Sequence, residues 1–476
     1  MTLKPKISML NRSEMEKIHE ATLKILKDTG VAFRSEEALA YFQNHGFRIE
    51  NETVFFKANQ VQSALEQCPE QFTFSARNQA HSLTIGDKEP VIQPASGCVY
   101  VQEPNKPRRL GLLDDYIRYQ QLLQTSDVVH LVGGNPIVPS DLNPGSRHFH
   151  QIYQTLKHTD KPVIGWTATG RQTNEMMDML AIAFGGEEQL QTQHVIGTGI
   201  NPLSPLAYGT ETLDCVIAAA KRNQILFVCP AAMSGITAPL DLMGTALMQN
   251  AELLACTVLI QLVNPGLPVV YCPASVVGNM KRASFCTGSP ESMLINLINL
   301  QLGQEYYHLP TRSLTGSTDA KVPDFQAGAE SMQNLMLSML GGSEIINEAL
   351  GTLESYMTLS FEKYLMDEEN FRRLQRIQKG VSLVNLEESV TLINEVGING
   401  DYLTHTSTFN KFRELWQPTL SNWESYDQWI KNENKDLLTL AQKRVETLIN
   451  SAPETLLHQS LDQELMQYMN KAGAFS

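Results

Sequence analysis

From residue 98 to residue 349 the chain alternates two patterns of hydrophobic and polar positions. Short, almost wholly apolar runs are separated by longer stretches in which apolar residues recur every three to four positions. The first pattern fits strands buried on both faces, and the second fits helices with one apolar stripe. The strand candidates are CVYVQ (98–102), VVHLVGG (128–134), PVIGWTA (162–168) and HVIGTGI (194–200). They continue with ILFVCPA (225–231), LPVVYCPA (267–274), TRSLT (311–315) and SEIINEA (343–349). Helical stretches such as SRHFHQIYQTLKH, ETLDCVIAAAKRN and FQAGAESMQNLMLSML lie between them. Eight strand–helix units in series predict an α/β fold, a (β/α)8 TIM barrel. An open doubly wound sheet accommodates the same alternation, but eight successive units favour closure.

The flanking segments read differently. Residues 1–95 form an α+β cap. Its first helix lies in NRSEMEKIHEATLKILKDTG, with Ser13 and Glu16 as a capping box and Gly30 as its stop. FRIENETVFF reads as a hairpin, and NQVQSALEQCP as a helix ended by Pro69. The barrel then takes 96–380, and a C-terminal helical extension takes 381–476.

Composition narrows the partners. A hydrophobic fraction of 42% and a charged fraction of 18% describe an ordinary globular protein. The net charge of -14 excludes nucleic acid as a main partner, because phosphate binding needs a basic face. The seven cysteines form no CxxC pair, and several sit inside apolar runs, so a reducing compartment, the cytoplasm, is expected. The N-terminus shows no apolar signal region. The run LLACTVLIQLV (253–263) is too short to span a bilayer, so no membrane is expected.

Candidate chemistry concentrates in TRSLTGSTDAKVPDFQAGAES (311–331), a strand, a loop of small residues and a helix starting near Asp324. Other strand ends are equally rich in small residues, as in GWTATG and CPAAMSG. They are either turn formers or the floor of a site that a flat ligand approaches closely. No GxGxxG, P-loop, GxSxG or HxxxH pattern occurs, so nucleotide, serine-hydrolase and helical metal sites are not indicated, and no bound metal is expected. His130 and His194 lie in apolar strands and read as core. The remaining candidates are aromatic and polar: Tyr100, Trp166, Tyr208, Tyr356 and Phe361, with Asn201, Arg312, Asp319, Glu348 and His405. Each alone is more often packing or loop hydrogen bonding. Together they suit a cationic organic ligand, held by ring faces, with an arginine fork for any carboxylate.

The stretches LKILKDTGVAF, TGSTDAKVPDFQAGAES, SYMTLSFEKYLMDEE and DYLTHTSTFNKFRELWQP resemble the trimethylamine methyltransferase (MttB-like) superfamily over nearly the whole length. The resemblance implies a TIM barrel and methyl transfer to the Co(I) of a corrinoid (cobalamin) carried by a partner protein. Founding members carry pyrrolysine; this chain holds only the twenty standard residues, and so is similar to the non-pyrrolysine branch, some of whose members act on quaternary amines. Glycine betaine is the expected donor, with proline betaine, carnitine or a tertiary methylamine as alternatives. A betaine-binding or corrinoid-binding module without turnover, or a metal-dependent barrel enzyme, are readings of other classes. A quaternary donor releases a neutral tertiary amine, so no proton need be supplied. Under this resemblance Tyr100, Trp166, Tyr208, Tyr356 and Phe361 wall the ammonium. Arg312, then His405, anchors a carboxylate, and Asn201, Asp319 and Glu348 neighbour the transfer centre. Trp416, Trp423 and Trp429 serve either as core or as an interface in a homo-oligomer.

Overall fold

In the computed structural model, residues 2–87, 89–348, 350–383, 385–432 and 435–475 are described. Eight parallel strands carry the architecture: β1 Val91–Ile92, β2 Val132–Gly133, β3 Val163–Gly165, β4 Ile196–Ile200, β5 Ile225–Val228, β6 Val269–Tyr271, β7 Arg312–Leu314 and β8 Ile345–Asn347. Each precedes a helix: α1 Leu113–Thr125, α2 Arg147–His158, α3 Gly170–Phe184, α4 Thr210–Lys221, α5 Leu242–Val263, α6 Pro290–Gln301, α7 Phe325–Leu340 and α8 Phe361–Gln378. Strands β2 to β6 pair in chain order in one parallel sheet, and β7, β8 and β1 pair in a second. Between the two sheets Tyr271 N–H donates to Pro310 O at 2.8 Å, and Leu131 N–H donates to Ile92 O at 3.1 Å. The chain is an α/β protein.

Seven of the eight predicted strands hold a member of this parallel series; Ala349, at the end of the last, lies outside the described residues. The first expectation is corrected. Within CVYVQ, Tyr100–Val101 pairs antiparallel with Arg109–Leu110 and parallel with Thr358–Leu359, outside the eight-strand series. Its place is taken by Val91–Ile92, two residues in a stretch bounded by Pro90 and Pro94 and too short to show a period.

Period-two alternation sets what faces inward. Val91, Leu131, Ile164, Ile225, Phe227, Cys229, Val270, Cys272 and Ile345 share one core with Phe72, Phe74 and Ile85. The last three belong to an antiparallel hairpin, Phe72–Phe74 with Leu83–Ile85. That hairpin sits where the strands begin, its Ser75 N–H donating to His194 O at 2.8 Å. The apolar plug therefore fills the N-terminal ends and leaves the C-terminal ends for a site.

The N-terminal segment packs on the flank. Val31–Phe33 pairs with Thr53–Phe55 and, in parallel, with Ala207–Tyr208. Its helices Arg12–Asp28, Glu36–Asn44 and Ala58–Gln67 pack against α5. The first of these is capped by Asn11, not Ser13: Asn11 Oδ1 accepts from Glu14 N–H at 3.1 Å, and the Glu14 carboxylate accepts from Asn11 N–H at 2.8 Å. The box has the expected spacing two residues earlier, since Asn caps as well as Ser. Helix α5 is longer than its apolar run because Asn250 and Glu252 are bonded inside it, to Tyr307 Oη at 2.8 Å and Leu206 N–H at 2.7 Å. It is long and apolar enough to cross a membrane, yet 83% of its most apolar stretch is buried within the fold, as in a core helix.

Candidate active site

A cavity of about 250 Å³ opens at the C-terminal ends of the strands. Gln93 and Ser96 follow β1; Trp166 and Thr167 follow β3; Asn201 follows β4; Cys229 and Ala231 follow β5; Ala274 follows β6; Glu348 follows β8. Arg312 and Leu314 come from β7 itself, Phe285 from a short strand, Ser284–Cys286, inserted between β6 and α6, and Tyr356 from the turn after Glu354. Small residues make the room: a Cβ added at Gly199 would meet nothing within 4 Å. Four aromatic rings line the space, those of Trp166, Phe227, Phe285 and Tyr356.

Two ionisable groups face this space, Arg312 and Glu348. The Arg312 guanidinium is buried, its Nε donating to Gln93 Oε1 at 2.9 Å and its Nη1 to Cys229 Sγ at 3.0 Å. It lies 5.5 Å from the Phe227 ring centroid. Burial works against its charge, but Cys229, Cys272 and Glu348 outweigh that and hold it protonated. Burial alone would raise the Cys229 thiol; its neighbours Cys272 and Arg312 pull it below the ordinary thiol range instead. Glu348 is the other ionisable group. Burial pushes its carboxyl up to about 8, against the pull of Arg312. Its Oε2 has no hydrogen-bond partner among the described residues, nor has the neighbouring Asn347 Oδ1.

The backbone here is strained. Glu348 has φ +56°, and Glu354, Ser355 and Tyr356 follow one another at +57°, +51° and +74°. Left-handed non-glycine residues cost on the order of 1–3 kcal/mol each and gather at functional sites. Asp319 holds this turn in place. Its carboxylate accepts from Thr287 N–H at 3.1 Å, from Gly288 N–H at 3.2 Å and from the Ser355 hydroxyl. It thereby ties the strand carrying Phe285 to the turn carrying Tyr356, without itself lining the cavity.

Of the residues expected from sequence, Trp166, Asn201, Arg312, Glu348 and Tyr356 line the cavity. Asn201 also braces it, its Nδ2 donating to Cys229 O at 2.7 Å. The other expectations are corrected. Tyr208 is fully buried, stacked on Phe33 at 5.5 Å, its hydroxyl donating to Glu252 O. Phe361 opens α8 and packs edge-on against Tyr119 at 5.8 Å. Tyr100 lies under the Arg108 guanidinium, 4.0 Å from its ring centroid. His405 caps the short helix Thr406–Lys411. Asp319 lies outside the cavity lining and is bonded to Thr287, Gly288 and Ser355 behind it. Gln93, Phe227, Cys229 and Phe285 line the cavity and were not singled out. The first three carry a signal: they continue the inward-facing period of β1 and β5, Gln93 two positions on from Val91, Phe227 and Cys229 two and four on from Ile225. Among the described residues no group of three or more His, Cys, Asp or Glu side chains is placed to hold a metal ion.

A family model described as trimethylamine methyltransferase (MTTB) matches residues 2–474. The chain is 34% identical over 472 residues to the glycine betaine methyltransferase of Desulfitobacterium hafniense (strain Y51), covering 99% of this chain and 98% of that one. It is 32% identical to the proline betaine:corrinoid methyltransferase of Eubacterium limosum, with 91% of each chain covered. Among solved structures it resembles the monomethylamine methyltransferase of Methanosarcina barkeri, with a TM-score of 0.55 at 11% identity over 93% of this chain and 89% of the other.

Proposed function

The chain belongs to the trimethylamine methyltransferase (MTTB) family, and from that premise and the cavity we propose that it demethylates a betaine, glycine betaine first. The methyl group goes to the cobalt of a corrinoid carried by a partner protein, and the tertiary amine is released. The observation that carries the reading is one cavity holding both a buried guanidinium and a carboxyl with an unpartnered oxygen, among four rings. A betaine is a zwitterion with a fixed cation and a carboxylate, and it meets both. About 250 Å³ is below the ~300–1,000 Å³ of drug-sized pockets and suits a ligand of few heavy atoms.

The roles follow from charge. Trp166, Phe227, Phe285 and Tyr356 present ring faces to the ammonium, at ~0.5–2 kcal/mol per ring. Glu348 supplies the countercharge, and Arg312 receives the carboxylate. Transfer turns a cation into a neutral amine, so rings and carboxylate hold the product less than the substrate and favour its release. Asn201 and Asp319 fix the walls, and positioning of this kind is worth up to ~7–11 kcal/mol when the reacting atoms are aligned. The corrinoid supplies the nucleophilic cobalt.

The partner has a surface to meet. Leu203, Leu240, Met280 and Phe325 stand 53%, 66%, 63% and 90% exposed on the loops or helix starts that follow β4, β5, β6 and β7. We read this apolar rim as the docking face of the corrinoid protein, because methyl transfer requires the cobalt to reach the cavity from that side. We read the eight strands as a closed barrel, with the Tyr271–Pro310 and Leu131–Ile92 hydrogen bonds as its seams. The seven unpaired thiols support a reducing, cytoplasmic setting.

The test is anaerobic incubation with cob(I)alamin and glycine betaine. Methylation of the cobalt and stoichiometric dimethylglycine are expected. A cobalamin spectrum unchanged by a panel of betaines, with the protein folded, overturns the reading.

A further inference from the structure

Strands β5 and β6 each run out into a cysteine. Val228, the last residue of β5, pairs with Tyr271, the last of β6, and Cys272 N–H donates to Val228 O at 3.1 Å. Cys229 and Cys272 therefore stand side by side at the next position of the same register, and both belong to the inward-facing set. In-register neighbours on adjacent strands lie ~4.8 Å apart, within the ~4.4–6.8 Å between Cα atoms that a disulfide spans. The two thiols hydrogen-bond each other, and the Arg312 guanidinium serves both, with Nη1 at 3.0 Å from Cys229 Sγ.

Cys229 differs from the other cysteines in access and in charge. It lines the cavity, which is roomy enough for a small oxidant. Against burial, Cys272 and Arg312 pull its thiol below the ordinary range. Burial pushes Cys68 and Cys256 up to about 12 and raises Cys98 and Cys215 as well. Cys286 is the least buried, but partial burial and the carboxylates of Asp319 and Glu330 raise it too. The thiolate is the reactive form of cysteine, so ionisation and access coincide at one sulfur. Cys272 is 1% exposed and stands behind the cavity lining. Burial, then the bond and charge of Cys229, hold its thiol high, while Arg312 pulls it down.

We propose that Cys229 and Cys272 form a peroxide-reactive dithiol, in which Arg312 activates Cys229 for attack and Cys272 resolves the product. The Cys229 thiolate attacks one oxygen of hydrogen peroxide, the O–O bond breaks, and hydroxide leaves. Cys229 is then a neutral sulfenic acid. Its charge no longer opposes ionisation of Cys272, and Arg312 remains to favour it. The Cys272 sulfur gives up its proton and attacks the Cys229 sulfur, the S–O bond breaks, and hydroxide takes that proton and leaves as water. Two thiols lose two electrons, and one peroxide becomes two waters. The disulfide strips the sulfur charge from beside Arg312, so an oxidant alters the cavity itself. Reactivity toward peroxide does not depend on which amine the cavity holds.

The full chain, reduced and then freed of reductant, is treated with hydrogen peroxide at pH 7 and mapped by differential alkylation and mass spectrometry. A peptide linked through Cys229 and Cys272 is expected, with Cys229 consumed at least about tenfold faster than Cys286. Dithiothreitol should restore both thiols. In Cys272→Ser, dimedone should trap a sulfenic acid at Cys229. In Arg312→Ala, consumption of Cys229 should slow by about tenfold. Folded wild-type protein whose Cys229 reacts no faster than Cys286 overturns the proposal, whether or not the variants fold. So does Cys229 that ends as a sulfinic acid while Cys272 stays free to alkylate, or a folded Arg312→Ala variant that reacts at the wild-type rate.

Discussion

Two buried clusters of charge lie close together in the chain and are finished differently. Lys363 and Asp367, one turn apart on α8, form an ion pair at 2.6 Å with almost no exposure. Lys363 Nζ also donates to Ser331 Oγ at 2.9 Å and Gly316 O at 3.1 Å, which uses the three donors of an ammonium. Asp367 accepts further from Gly351 N–H at 2.8 Å. Around Arg312 and Glu348 the accounting stays open, with Glu348 Oε2 and Asn347 Oδ1 without a hydrogen-bond partner among the described residues. A buried set completed by the chain itself serves the fold. A buried set left incomplete has its missing member outside the chain.

The sharpest way to break this contrast is to open the closed cluster. Lys363→Met leaves Asp367 buried and unpaired, which costs about 3–5 kcal/mol. Thermal unfolding should show a large fall in Tm, and the double variant Lys363→Met, Asp367→Leu should recover most of it. A single variant as stable as wild type would show that the pair is not what holds this region.

The next largest effect should come from the open cluster, with the opposite signature. Glu348→Gln removes the countercharge but little that the empty fold uses. Binding of glycine betaine by titration calorimetry should weaken by ~1.5–3 kcal/mol, the worth of a charged contact, while Tm stays level or rises. Loss of stability without loss of affinity would place Glu348 with Lys363, as a structural group.

How legible these regions are in the sequence depends on distance from a strand. Parallel strands buried on both faces read as unbroken apolar runs, so seven of eight were recognisable and the two-residue β1 was not. Trp166 and Glu348 directly follow the last residues of β3 and β8, and both line the cavity. Tyr208 lies eight residues past β4, where the chain has already turned back to pair with Ala32 and Phe33. Its burial follows from a long-range pairing that no local pattern announces. Phe227 and Cys229 were hidden for another reason. A strand interior of Ile, Leu, Phe, Val and Cys reads as packing throughout, and only the plug at the far end frees its last inward residues for a ligand.

Arg312 sharpens the comparison with a smaller, differential effect. Arg312→Ala should weaken glycine betaine by ~1–2 kcal/mol more than it weakens tetramethylammonium, which has the same cation and no carboxylate. Equal losses for the two ligands would assign Arg312 to holding Gln93 and Cys229 in place.

The smallest effect is a slope. With the cavity empty, the Glu348 carboxyl titrates at about 8 because burial disfavours its charge. At pH 6 to 7 it is mostly protonated, and neutral it tolerates an unpartnered oxygen. A quaternary ammonium brings a charge that never titrates, so binding it favours the ionised form and expels a proton. Affinity for tetramethylammonium should therefore rise with pH, by at most about tenfold per unit up to pH 8, and level off above. Cys229 acts the other way on a carboxylate. Its thiol ionises below the ordinary range because Cys272 and Arg312 favour the thiolate. Once ionised, it competes with the substrate carboxylate for Arg312. Glycine betaine should thus gain less with pH than tetramethylammonium does, and Cys229→Ala should bring the two slopes together. Calorimetric titrations at pH 6, 7, 8 and 9 read both slopes directly. Two flat lines would mean that neither group is open to a ligand, and the contrast between a finished and an unfinished cluster would lose its chemical content.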